Sequence, residues 1–180
     1  LKRINNKTLR LSVRLALLTG LRKEELLTIP VHCISAPQSI SARSHVVVEL
    51  DPQEMSTKGD KPRTIHVPIS LLADLWDYVI HERHEAIRQH GTDPKTLFVT
   101  AKGKSWSIRT SLNNSLNRLA LSFACHPHIL RHTYATHTLK SLMSRKSTTF
   151  NPLIYVRDRL GHSSIMTTEK YLHFLDDIED

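Results

Sequence analysis

Three features are scarce in this sequence: cysteine, long apolar runs and acidic side chains. The two cysteines, Cys33 and Cys125, cannot make a disulfide framework, so we expect a reducing compartment. The longest apolar runs, such as 15–18, fall far short of the roughly 20 residues that span a bilayer, so we expect no membrane partner. Asp and Glu number 17 against 25 Lys and Arg, which gives a net charge of +8.

The positive charge is unevenly distributed. Seven basic residues precede the first acid, Glu24, and four of the last six residues are acidic. This pattern fits a body that binds a polyanion and a tail that stays off it, or equally a solvated basic helix face and a frayed end. Hydrophobic residues make up 39% of 180 residues, which is enough for the core of one domain and excludes a disordered chain.

Apolar spacing predicts an α+β fold that is mostly helical with a small antiparallel three-stranded sheet. The three strands are expected at segments rich in β-branched residues, 46–50, 64–67 and 97–100. Segment 31–35 is a further candidate strand. Helices are expected over 8–19, 22–28, 70–87, 107–122, 127–142, 152–160 and 165–174. Gly20, Gly91 and Gly161 would end three of them.

The first two polar segments with chemical potential lie in the first third of the chain. Arg22 follows a glycine turn and opens a helix, and Glu25 lies three residues later, where it can orient the guanidinium. Taken alone, such a pair is more often a surface ion pair. Lys58 lies in a tight turn between two predicted strands, from which its ammonium can project into a cleft or simply into solvent.

Two further segments lie in the last third. His128 and Arg131 share one helix face, and an arginine can donate two hydrogen bonds to a phosphate. His132 lies off that pair and is expected to be a polar or core-edge histidine. His162 follows the helix end at Gly161, and Tyr171 comes nine residues later, at a position that alone would favour core or rim.

Together and in this order, the segments resemble the catalytic domain of the tyrosine recombinases, the family of the phage integrases. The family signature is Gly-Leu-Arg-x-x-Glu-Leu, a turn lysine, His-x-x-Arg-His, Leu-Gly-His and a tyrosine nine residues later. Nearly the whole chain is covered by the match, with these positions in the signature: Arg22, Glu25, Lys58, His128, Arg131, His162 and Tyr171.

The resemblance implies a DNA cleaving and rejoining enzyme that uses no metal, ATP or other cofactor. Tyr171 would attack a phosphodiester and form a 3′-phosphotyrosyl link. Arg22 and Arg131 would clamp the non-bridging oxygens, helped by His128 or His162. Lys58 would protonate the leaving 5′-oxygen, and His128 would be the more suitable acceptor of the tyrosine proton. Glu25 would be an accessory residue that holds Arg22.

The implied partners are double-stranded DNA and further protomers, as a tetramer on two DNA sites, in the cytoplasm with the nucleoid. Backbone contacts are expected from five basic residues: Lys2, Arg10, Arg14, Lys102 and Lys104. Residues 1–180 would form a single catalytic domain, with 1–7 as the linker from a missing N-terminal DNA-binding domain and 175–180 as an acidic tail. Such a fragment would bind DNA weakly and recombine poorly.

Three alternatives stay open at the level of sequence. A type IB topoisomerase uses similar chemistry, and a catalytically silent DNA-binding module could share the fold. A metal site is conceivable at Cys125, His126, His128 and His132, although their spacing fits no standard zinc pattern. The chain also departs from compact family members through longer segments around 35–45 and 143–151, and through its short end after Tyr171.

Overall fold

The structure is a computed structural model that describes residues 4–37, 44–106, 111–119, 125–145 and 149–179. The helices in chain order are α1 (Lys7–Thr19), α2 (Lys23–Thr28), α3 (Ile69–Tyr78), α4 (His84–His90), α5 (Ser111–Asn117), α6 (Pro127–Met143), α7 (Pro152–Leu160) and α8 (Met166–Glu179). The strands are β1 (His45–Leu50) and β2 (Arg63–Pro68). The prediction of a mostly helical fold with a small antiparallel sheet is therefore confirmed.

Helix α1 lies at the centre of the larger core. The side chain of Asn6 accepts a hydrogen bond from the amide of Leu9 and caps its first turn. Gly20 ends the helix with φ +65°, in the left-handed conformation that the sequence predicts. A Cβ atom at Gly20 would lie 2.5 Å from the ring of Tyr134 on α6, so glycine is required there for close packing as well as for conformation. Helix α1 packs against α6, α3 and β2.

The sheet has two strands in the described residues, so the prediction of three is wrong. Val46 pairs with Val67 and Leu50 with Arg63, and the inward side chains pack toward α1 and α3. Segment 31–35 contains a 3₁₀ turn at Val31–Cys33, and 97–100 contributes one isolated bridge, from Val99 to Ser105. A second isolated bridge, just before that segment, joins Pro30 to Thr96, and proline has no N–H with which to extend a ladder.

The predicted long helix after the hairpin is continuous but irregular. Helix α3 passes through a π-helical segment, Val79–Arg83, into α4, which Gly91 ends at φ +68°. Arg83 is buried in this segment and donates hydrogen bonds to Asp93 and to the carbonyl of Thr96. Helix α5 lies within the predicted helix over 107–122, whose two ends fall outside the described residues.

A second, smaller core joins α6, α7 and α8. It is built from buried side chains of those helices: Ala135, Leu139, Leu142, Val156, Leu160 and Tyr171. This core fixes the end of α7 and the middle of α8 against α6, next to the C-terminal end of α1. Within the described part of the chain, every helix is too short or too polar to cross a lipid bilayer.

Candidate active site

The start of α2 fixes Arg22 and Glu25 together. Arg22 is the N-cap residue, and its amide donates to Glu25 Oε2 at 2.7 Å, which is the contact that the glutamate makes in a capping box. Its guanidinium donates through Nη1 to Glu25 Oε1 at 2.8 Å and through Nη2 to the carbonyl of Gly161 at 2.9 Å. The side chain of Glu25 is only 1% exposed, so this pair is not the solvated surface pair that its spacing alone would favour.

A second arginine, Arg63 at the start of β2, shares the same carboxylate. Its Nε lies 3.1 Å from Glu25 Oε1 and its Nη2 lies 2.6 Å from Oε2, while Nη1 donates to the carbonyl of Arg159 at 2.5 Å. Burial raises the pKa of Glu25, but hydrogen bonds and charge from Arg63, and then from Arg22, lower it by more than burial raises it. The net shift of the pKa is therefore downward. Glu25 is therefore held as a carboxylate.

Arg131 lies on the buried face of α6 and bridges two carbonyl groups. Its Nη1 donates to Gly20 and its Nη2 to Leu160, at 2.5 and 2.6 Å. Burial, and then the positive charges of Arg22 and Arg63, lower the pKa of Arg131 to about 9, which leaves it charged at neutral pH. Three guanidinium groups thus gather around the single carboxylate of Glu25, which leaves an excess of two positive charges at this point.

The three arginines meet at the end of α7. The carbonyls of Arg159, Leu160 and Gly161 are consecutive, and each accepts a hydrogen bond from a different arginine: Arg63, Arg131 and Arg22 respectively. The last carbonyls of a helix have no partner within the helix and carry its negative dipole end, so cations are favoured there. Gly161 follows at φ +61°, and a Cβ atom there would lie 3.0 Å from Cδ of Arg63.

His162 leaves this helix end toward α8. Its Nδ1 lies 2.9 Å from the hydroxyl oxygen of the fully buried Thr168. Burial, followed by the charges of Arg131, Arg22 and others, lowers the pKa of His162 to about 4. The imidazole is therefore neutral at pH 7, with Nε2 as the ring nitrogen that Thr168 does not use.

Tyr171 forms one wall of the site from the buried face of α8. It is 1% exposed; burial raises the pKa of its hydroxyl, and the charge of Arg131 offsets part of that rise. The ring of His162 lies nearly parallel to it at 6.4 Å between centroids, and that of His132 meets it edge-on at 5.3 Å. His132 in turn stacks on His128 at 4.2 Å, so His132 separates His128 from Tyr171.

One cleft of about 530 Å³ collects all six residues that the sequence singles out as catalytic. Its lining includes Arg22, Lys58, His128, Arg131, His162 and Tyr171. Lys58 reaches it from the exposed turn between β1 and β2, where Gly59 adopts φ +69°. A neighbouring hollow of about 420 Å³ is also lined by Lys58, Arg22 and His162, together with Arg63 and Lys61. The described segments thus bring residues from five parts of the chain to one place.

The basic residues expected to touch DNA elsewhere lie apart from the cleft. Arg10 donates to the carbonyl of Ile4 at 2.8 Å, and Arg14 pairs with Asp74 on α3. Lys102 and Lys104 lie on the turn after Val99, and neither lines the cleft. Lys2 falls outside the described residues.

Sequence reasoning missed four residues of the site. Arg63 and Thr168 support its charged groups, His132 contacts Tyr171, and Lys170 lines the cleft with its ammonium 5.2 Å from the centre of the Tyr171 ring. A role for Arg63 in the site could have been suspected, because Arg63 follows the same turn as Lys58 and pairs with β1, a strand whose inward side chains are apolar. Thr168 and Lys170 carry no signal beyond their place on α8.

In the part of the chain that is described, no group of three or more His, Cys, Asp or Glu side chains is arranged to hold a metal ion. Burial raises the pKa of the Cys125 thiol, which therefore stays protonated beside His126 at neutral pH.

Comparison with known proteins matches residues 2–177 to the phage integrase family. Among related sequences, tyrosine recombinase XerC of Oceanobacillus iheyensis is 33% identical over 125 residues, which cover 67% of this chain and 38% of that protein. XerC of Chlamydia caviae is 28% identical over 160 residues, which cover 86% of this chain and 48% of that protein. The chain thus spans less than half the length of these relatives.

Solved structures share the fold at lower sequence identity. The XerH site-specific recombinase in its post-cleavage complex with palindromic difH matches 95% of this chain with a TM-score of 0.68 and 21% identity, and the match covers 44% of that chain. The catalytic domain of bacteriophage HP1 integrase matches 91% of this chain with a TM-score of 0.52 and 23% identity, and the match covers 73% of that chain.

Proposed function

Since the chain belongs to the phage integrase family, we propose that it is the catalytic domain of a site-specific DNA recombinase. In this proposal it cleaves and rejoins DNA strands through a tyrosyl intermediate. The observation that carries the proposal is the convergence of Tyr171, Lys58, two histidines and two arginines on one cleft. A nucleophile, a candidate general acid and a cationic clamp in one cavity are the parts that phosphoryl transfer requires.

The arginines would stabilise the charge that develops on the phosphate. The hydrogen bonds of Arg22 use two of its five N–H groups, and those of Arg131 also use two. Three N–H groups of each guanidinium would then serve the non-bridging oxygens of a phosphate in the cleft. Because carbonyls on α7 and at the end of α1 fix both groups in advance, little reorganisation would be needed at the transition state.

The reaction would proceed by displacement at phosphorus. The oxygen of Tyr171 forms a bond to phosphorus, the bond from phosphorus to the 5′-oxygen breaks, and the phosphate stays on the 3′ side of the break. Lys58 gives a proton to the leaving 5′-oxygen. The proton of Tyr171 passes to a histidine, and such an acceptor is needed because burial keeps the pKa of the phenol above its usual value. A 5′-hydroxyl from another strand then reverses these steps without ATP.

Two assignments to the histidines follow from their positions. His162 would donate from Nε2 to a phosphate oxygen, since Nδ1 is paired with the hydroxyl of Thr168, which can donate to it. His128, the proposed proton acceptor, is exposed and stacked on His132, so a proton from Tyr171 would reach it through water at the cleft. Glu25 would not touch DNA and would hold Arg22 in place.

The assembly is also part of the proposal. We propose double-stranded DNA as the substrate, four protomers on two DNA sites, and action at the nucleoid. Residues 1–180 would act as one catalytic domain within a longer enzyme, with 1–7 as linker and 175–180 as an acidic tail. The support is the family match and the excess of positive charge in the cleft.

Covalent trapping tests the proposal. The chain is incubated with a library of nicked duplexes of randomised sequence, in which the short 5′-hydroxyl strand diffuses away after cleavage and religation fails. A protein–DNA adduct that resists SDS is expected, and sequencing of the trapped DNA would reveal the cleavage position and its preference.

The matched variants are Tyr171→Phe and Tyr155→Phe. Tyr155 lies on α7 outside the cleft and packs against Phe150, so its variant should form the adduct normally. Tyr171→Phe should form none. An adduct that persists in Tyr171→Phe, or no adduct from the unaltered chain, would refute the proposal. Relaxation of supercoiled DNA with no preferred cleavage sequence would favour the topoisomerase alternative.

A further inference from the structure

Arg63 is the buried charged residue of the site that the proposed chemistry leaves without a role. Its side chain is 8% exposed, and its three hydrogen bonds reach Glu25 and the carbonyl of Arg159. It therefore joins the start of β2 to α2 and to the end of α7. A buried arginine that only supported the fold could be paired with any acid, whereas this one is paired with the carboxylate that also holds Arg22.

The geometry divides the work at Glu25. Arg63 approaches the carboxylate side-on through Nε and Nη2, so both carboxylate oxygens have a fixed orientation. Arg22 then binds the same two oxygens, with its amide on Oε2 and its Nη1 on Oε1. Without Arg63, the carboxylate could rotate, and the guanidinium of Arg22 would lose the fixed support that directs its remaining N–H groups at the cleft.

The other end of Arg63 acts on the Leu160-Gly161-His162 segment. Its bond to the carbonyl of Arg159 is the first of the three consecutive bonds that arginines make to the end of α7. The aliphatic part of Arg63 lies under Gly161, where even a methyl group would approach Cδ to 3.0 Å. Arg63 thus fixes the position of the backbone at Gly161, where the chain leaves α7, and therefore the position of His162, the next residue.

We propose that Arg63 is a positioning residue for the cleavage reaction, which orients Arg22 through Glu25 and His162 through the end of α7. This inference rests on the proposed function. Arg63 also lies five residues after Lys58, so a competing route exists in which it merely anchors the turn that carries the general acid. The two routes predict different responses to the chemistry of the leaving group, which makes them separable.

The test compares single-turnover cleavage of two nicked duplexes that carry the cleavage site recovered by trapping. One has the natural 5′-oxygen at the scissile bond, and the other has a bridging 5′-sulfur. A thiolate is a good leaving group and needs no general acid, so Lys58→Ala should cleave the sulfur substrate almost as fast as the unaltered chain. If Arg63 acts through Arg22 and His162, Arg63→Lys should be slow on both substrates.

Arg63→Lys keeps the charge but cannot make the side-on contact with Glu25 and also reach the carbonyl of Arg159. We expect its cleavage rate constant to fall about 100-fold on the oxygen substrate, the scale of a small misplacement of reacting groups. The same loss should remain on the sulfur substrate, with DNA affinity within about threefold of normal, because a phosphate contact is not removed.

Arg83→Lys is the matched control. Arg83 is equally buried, with its side chain 6% exposed, and it donates to Asp93 at 2.6 Å and to a backbone carbonyl at 3.0 Å, but it does not line the cleft. It should lose stability to a similar extent and cleave normally. Glu25→Gln, which keeps the side-chain volume, provides a second variant: it should show the pattern of Arg63→Lys, and the double variant should lose little more.

Three results would overturn the inference. The first is that Arg63→Lys and Glu25→Gln cleave as fast as Arg83→Lys when all three are measured at a temperature where circular dichroism shows them folded. The second is that Arg63→Lys, like Lys58→Ala, cleaves the sulfur substrate at nearly the normal rate, which would mean that Arg63 only anchors the turn that carries Lys58. An unaltered chain that forms no adduct would remove the proposed function and the inference with it, whereas the first two results would leave the function intact.

Discussion

Basic side chains gather in two regions, the face between α1 and α3 and the cleft, and they meet different partners in each. On the α1–α3 face, Lys7 lies 2.6 Å from both Asp77 and Glu82, and Arg14 pairs with Asp74. At the cleft, Arg22 and Arg63 share the carboxylate of Glu25, and these two arginines and Arg131 otherwise bind backbone carbonyls. Carbonyls orient a guanidinium without cancelling its charge, so the cleft keeps a positive excess that the other region lacks.

This difference shows why net charge alone could not locate a binding site. The basic residues near the N-terminus suggested DNA-backbone contacts for Arg10 and Arg14, which stay a prediction. In the structure Arg14 pairs with Asp74, whereas Arg10 donates to the carbonyl of Ile4, which leaves its charge uncancelled. Uncompensated charge depends on which acids lie opposite, and those acids are about 60 residues away in sequence, as the Arg14–Asp74 pair illustrates.

The largest expected effect breaks the carbonyl support in the cleft. Arg131→Lys keeps a positive charge but loses the planar group that bridges Gly20 and Leu160. We expect the rate of covalent adduct formation to fall about 100- to 1000-fold, the usual loss when a fixed donor is removed from a site of developing charge. Quenched-flow cleavage of the trapped substrate measures it; a loss below about tenfold would mean that charge without orientation is enough.

The next effect concerns the backbone beneath the cleft. Gly20→Ala places a methyl group 2.5 Å from the Tyr134 ring at a positive φ, and we expect a loss of about 2–4 kcal/mol in the free energy of unfolding. Gly91 ends α4 at a similar φ with open space around it, so Gly91→Ala should cost only about 1 kcal/mol. Urea denaturation measures both; equal losses would show that the close contact with Tyr134 relaxes freely.

A smaller effect follows from the neutral histidines of the cleft. Burial and neighbouring positive charges lower the pKa of both His162 and His132 to about 4, below the value of about 6.5 expected in the unfolded chain. Folding therefore favours their neutral forms, and this contribution is complete above pH 6.5 and is lost as the pH falls toward 4. Glu25, whose pKa is also lowered, adds to the loss in acid.

Urea denaturation between pH 7 and pH 4.5 measures this dependence. His162→Asn should flatten the decline in unfolding free energy with falling pH. The expectation fails if this variant has the slope of the unaltered chain.

The smallest effect compares one lysine of the cleft with one arginine of the α1–α3 face. Lys170 lines the cleft, so Lys170→Ala should reduce the slope of log affinity for DNA against log salt by about one. Arg14→Ala should leave that slope unchanged, because Asp74 already neutralises the arginine. Fluorescence anisotropy at several salt concentrations measures both, and a reduced slope for Arg14→Ala would support the contact with DNA that the sequence predicts for it.

The sequence was most informative for features that depend on a short segment of the chain. Helix ends at Gly20 and Gly161 and the motif around Arg131 depend on neighbours within a few residues, so the main helices and the six cleft residues could be predicted. The prediction of a third strand was wrong, since Val99 in 97–100 forms an isolated bridge with Ser105 and the neighbouring Thr96–Pro30 bridge is isolated too. Arg63 was missed because its partners Glu25 and Arg159 lie 38 and 96 residues away.

Because three arginines, Arg63, Arg131 and Arg22, all bind carbonyls at the end of α7, their arrangement around the cleft depends on the whole fold. The bonds to the carbonyls of Arg159, Leu160 and Gly161 close loops of 96, 29 and 139 residues. A partly folded chain, such as one still emerging from the ribosome, cannot arrange the clamp, and a native chain in which α7 detaches loses it at once. The proposed cleavage of DNA would thus be confined to the fully folded state, and the backbone amide of His162 should exchange with solvent no faster than that activity is lost.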